Sequence, residues 1–299
     1  MKILVFGSCN IDLVYSVKNI VRPGETLAVR ELNQFPGGKG FNQAIAAARA
    51  GAPTVFAGCI GSDGEFLRRM LDDAGADTAE LRTVEGKTGQ ATIQVDERGE
   101  NAILIYPGAN ARITREHIRS ALAGMERGDY LLLQNEINDL PYIIECAAKA
   151  GLRTVLNPSP FDESLRGIDF SALECVILNE TEACEFAGSD DPFEFIKQAG
   201  GLTDIVLTLG EGGSVYSHAG SLERFPAYKT EVADTTAAGD TFTGYLFASL
   251  CSGAAVGEAF RTAAGAAALA VSRQGAAASI PAFGEVPQWL ASAEPIPSE

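Results

Sequence analysis

One eleven-residue string carries the most suggestive chemistry in this sequence: Asp234-Thr235-Thr236-Ala237-Ala238-Gly239-Asp240-Thr241-Phe242-Thr243-Gly244. Small residues and glycine at the entrance to a helix leave backbone N–H groups free to hold an anion, and the helix dipole adds to their pull. Apolar residues running on to Leu250 supply that helix. Asp240 then falls in its first turn, close to where a transferred phosphate would rest. An acidic residue at a helix start is an ordinary preference, so Asp240 alone decides little. The whole string is far rarer. A carboxylate beside an anion cradle is what phosphoryl transfer requires to orient a hydroxyl nucleophile.

Other strings point the same way. Pro36-Gly37-Gly38-Lys39-Gly40-Phe41-Asn42-Gln43-Ala44 combines glycines, which let backbone pass near a ligand, with Asn42, which offers both donor and acceptor to hydroxyls. Gly7-Ser8-Cys9-Asn10-Ile11-Asp12 ends the first predicted strand and presents Asn10 and Asp12. Read plainly it is a turn with Asx chemistry; read functionally it is a pair of hydroxyl ligands. Gln134-Asn135-Glu136 follows another strand, Asn179-Glu180-Thr181-Glu182 reads as a helix cap or a ligand set, and Thr208-Leu209-Gly210-Glu211-Gly212-Gly213 is a glycine-rich turn. Gly86-Lys87-Thr88 fails as a P-loop because position 81 is Leu where glycine is needed. Gly7-Ser8-Cys9-Asn10 lacks the glycine pattern of a dinucleotide fold.

Together these strings resemble the signatures of the ribokinase-like carbohydrate kinase family, and the resemblance extends over nearly the entire chain. It implies ATP-dependent phosphorylation of the 5-hydroxyl of D-ribose, with Asp240 as base and Ala237, Ala238 and Gly239 as anion-hole donors. Sugar contacts would be Asn10, Asp12, Gly38, Lys39, Gly40, Asn42 and Glu136. ATP would be held at Asn179, Thr208, Gly210, Gly213, Gly239 and Ala264. Mg²⁺ would be organised by Asn179 and Glu182. A K⁺ loop would use Asp234, Thr236, Ala270, Arg273, Gly275 and Ser279, with Arg273 contributing its carbonyl, since backbone oxygens suit K⁺. Two positions depart from the pattern. Phe41 replaces a commonly small residue, and Ala264 stands where a polar side chain often lies near adenine. Another small sugar or a nucleoside remains an alternative substrate, and a sugar-binding regulator without catalysis an alternative class.

The elements that must position these residues follow a regular rhythm. Strands are predicted at Ile3–Phe6, Thr54–Ala57, Asp129–Gln134, Thr154–Leu156, Cys175–Leu178 and Ile205–Leu209, alternating with helical patterns such as Gly38–Ala50. Asp63 is placed as the cap of a helix whose Phe66, Leu67, Met70 and Leu71 share one face. Pro141 opens another helix and Gly151 stops it. This alternation predicts an α/β fold with a doubly wound, mostly parallel sheet, ligands gathering at the carboxyl ends of its strands. Segments of about 13–36 and 88–107 have strand character without helices, a candidate lid on a single 1–299 domain. The Ala-rich run Thr262–Val271 reads as a buried helix, and Ala293–Glu299 as a fraying tail.

Composition bounds the partners. With 46% hydrophobic residues among 299, the chain can fill a sizeable core. Its net charge of −16 and lack of basic runs argue against nucleic acid. No charge-free apolar stretch of about 18 residues appears, so no membrane span is expected, and Ile3–Gly7 is too short an apolar run, without a cleavage region, for a signal peptide. The six cysteines include no C-x-x-C pair, pointing to reduced thiols in a cytoplasm. With two histidines in unsuggestive settings, a His-based triad or metal site is not expected. The half-apolar lid and the resemblance together imply a lid-to-lid homodimer.

Overall fold

A computed structural model of the chain describes residues 1–297. The first unit contains β1 (Ile3–Phe6), β2 (Asn10–Ser16), β3 (Glu31–Gly37), α1 (Lys39–Arg49) and β4 (Thr54–Ile60). It continues with α2 (Glu65–Asp73), β5 (Asp77–Thr83), β6 (Gly89–Val95) and β7 (Asn101–Tyr106). Then follow α3 (Arg115–Ala123), β8 (Tyr130–Gln134), α4 (Leu140–Ala150), β9 (Arg153–Asn157) and β10 (Cys175–Asn179). The last part holds α5 (Glu180–Ala187), α6 (Phe193–Ala199), β11 (Asp204–Thr208), β12 (Ser214–His218) and β13 (Ser221–Phe225). Two long helices follow, α7 (Ala238–Cys251) and α8 (Val256–Val271), and then two short ones, α9 (Ala276–Ser279) and α10 (Glu285–Leu290).

Alternation along the strands explains the layers. Ile3 and Val5 of β1 face one core with Tyr130 and Leu132 of β8, whereas Leu4, Phe6, Leu131 and Leu133 face the other. Both faces are therefore apolar, as a parallel sheet requires. Helices α1, α2, α7 and α8 bury their stripes on the first face, and α3 to α6 on the second. The sheet runs β13-β12-β11-β10-β9-β8-β1-β4-β5, parallel from β11 to β5, with β12 and β13 added antiparallel at one edge. Strand order reverses at β1, which lies between β8 and β4, so the switch point falls beside Gly7.

A second sheet has the order β3-β2-β6-β7. Its two central strands, β2 and β6, pair in parallel, while the outer pairings are antiparallel. The segment Leu13–Phe35 and the hairpin Thr88–Tyr106 thus join through a long-range pairing that no local pattern announces. Register places Asp12, Val14, Phe35, Ala91, Ile93 and Ile105 on one face.

Two expectations change, and three strands were not expected. Asp63 caps no helix: Gly64 precedes α2, and Asp63 Oδ1 accepts from the Thr88 amide at 3.0 Å and the Thr88 hydroxyl at 2.7 Å. Its carboxylate is used across the chain, tying α2's start to the lid hairpin. The tail does not fray over its described residues: Lys229 N donates to Glu294 O and Ile296 N to Ala227 O, at 3.0 and 2.8 Å. Strands β5, β12 and β13 carry no clear apolar run, because they lie at the sheet's two ends. β13 buries only Phe225.

Glycine has a steric duty where α1 meets β1. A Cβ on Gly40 would lie 2.6 Å from both Gly7 Cα and Ser8 N, backbone that cannot rotate away. Gly40→Ala is expected to cost about 1–3 kcal/mol. Gly167→Ala, where a Cβ meets nothing within 4 Å, serves as the neutral control. Thermal unfolding of the two variants measures the difference.

Candidate functional site

The carboxyl ends of β1, β8, β9, β10 and β11 converge on the start of α7, and the motif residues come together there. Ala237 precedes α7 in the left-handed region, with φ 61°, a strained backbone that turns the chain sharply into the helix. The first-turn amides of α7 have no carbonyl four residues earlier within the helix. Of the three expected donors, the Ala238 amide makes a long 3.3 Å contact to Thr235 O. Asp240 is buried in that turn. Asn42 Nδ2 donates to its Oδ2 and Gln43 Nε2 to its Oδ1, both at 3.0 Å.

The electrostatics are set by burial. It pushes the Asp240 carboxyl up, against the opposing influence of Lys39 and the two amide hydrogen bonds, while Glu136 pushes it further up. Burial would lower the Lys39 ammonium, but Asp240, Glu136 and Glu182 more than offset this and raise it. A cation and a carboxylate therefore share a dry site, each favouring the other's charge. Glu136 is held by the Ser8 hydroxyl and, at 2.9 Å, by the Lys39 amide, both donating to its Oε2.

On the lid side, Asn10 Oδ1 accepts from Asn110 Nδ2 at 2.8 Å, and Asn110 Oδ1 accepts from the Cys9 amide at 3.0 Å. Asp12 Oδ1 and Asn42 Oδ1 are buried without a hydrogen-bond partner. Buried acceptors of this kind suit the hydroxyl groups of a bound polyol. Gly38, with φ 98°, lets the backbone turn beside Asn10 and Ser8. Gly40 packs directly against the backbone of Gly7 and Ser8.

Two clefts adjoin beside Asp240, which lines the smaller one. One of about 220 Å³ is lined by Lys39, Asn157, Asn179, Glu182, Ala237 and Gly239, with Asp240 itself in the wall. The other, about 630 Å³, adjoins it through Asn179, Thr208 and Gly239 and is lined by Gly210, Gly213 and Ala264. Asn179 and Glu182 form a reciprocal cap on α5, with Glu182 N to Asn179 Oδ1 at 2.9 Å and Asn179 N to Glu182 Oε2 at 3.0 Å. The cap and the site coincide, because α5 starts at the cleft. Tyr228, Phe242 and Ile296 also line the larger cleft. None of these three, nor Ser8, Asn110, Asn157 or Gln134, was assigned from sequence; Ser8 and Gln134 lie inside the motifs, while Asn110 has no local signal.

Behind the anion cradle, Asp234 Oδ1 accepts from the Thr236 amide and hydroxyl at 2.9 and 2.6 Å, and its Oδ2 from the Gly275 amide at 3.0 Å. Burial would raise this carboxyl, but those donors hold it below the usual carboxylate range. The Ala233 and Asp234 amides both donate to Val271 O, so the two predicted segments of the cation loop are adjacent. Arg273 directs its guanidinium to Glu285 at 2.7 Å, and the Ser279 hydroxyl donates to Ala276 O at 2.7 Å.

A buried acid that lines an anion-accepting cleft on one side and is bonded to Asn42, beside unpartnered acceptors, on the other has the arrangement of a phosphotransferase that acts on an alcohol group. The chain belongs to the pfkB family of carbohydrate kinases, whose model matches residues 1–282. A ribokinase from Staphylococcus aureus is 37% identical over 96% of this chain and 99% of its own length. The solved ribokinase of Thermotoga maritima superposes with a TM-score of 0.86 at 34% identity, covering 98% of this chain and all of that one. Arabidopsis thaliana ribokinase, complexed with ribose and ATP, gives 0.82 at 28% identity over 97% and 98% of the two chains.

Asp12 provides a test of the site's electrostatics. Burial, and then the Glu136 carboxylate, push its pKa up to about 7. Because the folded value is raised, Asp12 contributes stability that is complete below the unfolded carboxylate range and lost as pH rises through about 7. Wild-type stability should therefore fall between about pH 5 and 8 more steeply than that of Asp12→Asn. Urea unfolding across that range checks it. Parallel profiles would rule the raised carboxyl out.

Proposed function

We propose that this protein transfers the γ-phosphoryl group of ATP to the 5-hydroxyl of D-ribose, giving ribose 5-phosphate and ADP, with Asp240 as the base. The observation that carries this reading is the position of Asp240, fixed by two amides at the junction of the polyol site and the anion cleft. Ribose is favoured by similarity to ribokinases over nearly the whole chain.

The residues divide the work by position. Asn10, Asp12, Asn42 and Glu136 bind the sugar hydroxyls, with the Gly38–Gly40 backbone shaping the same wall. The 5-hydroxyl lies against Asp240, which accepts its proton as the oxygen attacks phosphorus. First-turn amides of α7 around Gly239 and the Lys39 ammonium face the charge that develops on the phosphoryl oxygens. Asn179, Thr208, Gly210, Gly213 and Ala264 hold the nucleotide. Water exclusion follows from lid closure over Asn10 and Asp12.

Two cations belong to the reading. The hard oxygen donors of Asn179 and Glu182, at the mouth of the anion cleft, fit Mg²⁺, which supplies charge neutralisation for the nucleotide phosphates when bound. The mixed carboxylate, hydroxyl and carbonyl oxygens of Asp234, Thr236, Ala270, Arg273, Gly275 and Ser279 fit K⁺. Glu285 takes the Arg273 guanidinium, so Arg273 offers that loop only its carbonyl. Six unpaired cysteines suit a cytoplasmic location, and no described helix is long and apolar enough to cross a membrane.

The lid also carries the reading on assembly. Phe35, Ile103 and Ile105 share the Asp12 face and are 40%, 52% and 54% exposed. An apolar sheet face of this kind is buried by a second copy of itself, giving a two-fold homodimer. Light scattering should report twice 31.4 kDa, and Ile103→Glu should shift it toward the single chain. A fully active wild-type monomer at micromolar concentration would remove the dimer.

Activity is tested by ADP release over a panel of sugars and nucleosides, in K⁺ and in Na⁺. D-ribose should turn over fastest, and K⁺ should raise the rate. Asp240→Asn should lose about 10²–10⁴-fold in turnover while still binding sugar. More than about a tenth of wild-type turnover in that variant would show that another group takes the proton.

A further inference from the structure

We infer that Gln43 is a positioning residue for the Asp240 carboxylate, and that Gln134, seated on Gly7, locks the Gln43 amide in the orientation this requires. The inference rests on the reading of Asp240 as the base. Gln43 is fully buried on α1, one residue beyond Asn42. Its Nε2 donates to Asp240 Oδ1 at 3.0 Å and to Asn157 Oδ1 at 3.2 Å. Its Oε1 accepts from Gln134 Nε2 at 2.7 Å. An amide has an acceptor side and a donor side. With the acceptor side pinned by Gln134, the NH₂ group must face the carboxylate.

The supports are themselves fixed. Asn157 Nδ2 donates to Ile177 O at 3.0 Å, which turns its Oδ1 toward Gln43. A Cβ on Gly7 would lie 2.2 Å from Gln134 Oε1, so only glycine leaves room for that amide. Gln134 Oε1 is buried without a partner, a cost accepted in holding Nε2 on Gln43. The two neighbours on α1 therefore differ in kind. Asn42 keeps an unpartnered oxygen available to a ligand, whereas both polar atoms of Gln43 are engaged within the protein.

Pinning Oδ1 restricts rotation of the carboxyl and favours its ionised form. Other charges around Asp240 are Lys39 on α1 and Glu136 beyond β8, with Glu182 of α5 acting on Lys39. Burial opposes ionisation, so loss of one donor moves proton uptake by the base to higher pH.

The test is kinetic. Gln43→Leu keeps the approximate volume and deletes the donor. Its kcat should fall about tenfold or more, as for loss of a hydrogen bond to a charged group. The sugar KM should stay within about threefold, because Asn10, Asp12 and Asn42 are untouched. The acid limb of kcat/KM should move to higher pH. Gln43→Glu keeps the length and the acceptor for Gln134 while removing the amide donor, and two facing carboxyls should move that limb further still. Should Gln43→Leu fail to fold, Gln43→Glu carries the measurement. Gln134→Leu should act in the same direction, and the double variant should be no worse than Gln43→Leu. A wild-type kcat and acid limb in the Gln43 variants, or a change confined to KM, would overturn the positioning role. An inactive Asp240→Asn beside such variants would leave the base reading intact, whereas an active Asp240→Asn would bring down both.

Discussion

Keeping a carboxylate charged in a dry site is the constraint on which the rest of this structure depends. Asp240 is buried, and exclusion of water drives its carboxyl toward the neutral form. The protein answers with two amides, one on each oxygen, and a half-buried ammonium. All three come from α1: Lys39, Asn42 and Gln43 lie within five residues. Position in a helix does the rest, since Lys39 and Asn42 are three apart and Lys39 and Gln43 four apart, on one face.

That arrangement works only if α1 lies very close to both β1 and α7. Glycine makes each approach possible. Gly40 meets the β1 backbone at Gly7, and on the other side a Cβ on Gly244 would sit 2.4 Å from the Ala46 Cβ and 2.8 Å from the Ala47 amide. Side chains of ordinary size would separate the helices and lengthen the 3.0 Å contacts to Asp240. The small residues of both motifs therefore serve two purposes. They leave amides open for an anion, and they bring the helices near enough to hold the acid.

Much of this was legible because the deciding signals are local. The alternation of apolar runs and helical stripes located β1, β4, β8 to β11 and α1, and helix-start chemistry placed Asp240 in the first turn of α7 and Asn179 at the cap of α5. What escaped depended on distant partners. Asp63 reads as a cap in isolation, but its carboxylate is used by Thr88, 25 residues away. The parallel pairing of β2 with β6 leaves no trace in either strand, because hairpin patterns describe only neighbours. Asn110 orients Asn10 across 100 residues. The edge strands β5 and β13 are half solvated, and their polar residues hide the period. Ile296 reaches the larger cleft through tail pairing with Ala227, which no local propensity encodes.

On the proposed reading, the lid would join binding to assembly through one sheet face. Asp12 offers an unpartnered oxygen from the same face that carries Val14, Phe35, Ile93 and Ile105, because residues paired across the strands must point together. A polar group with an unpartnered oxygen is thus framed by apolar side chains that solvent does not favour. Covering those side chains raises the strength of every hydrogen bond made at Asp12, since the local dielectric falls. The same covering pushes the Asp12 carboxyl further toward its neutral form unless a hydroxyl donates to it. A second copy of the lid and a polyol would therefore favour each other, one removing water and the other supplying the hydrogen bonds that the dry site lacks.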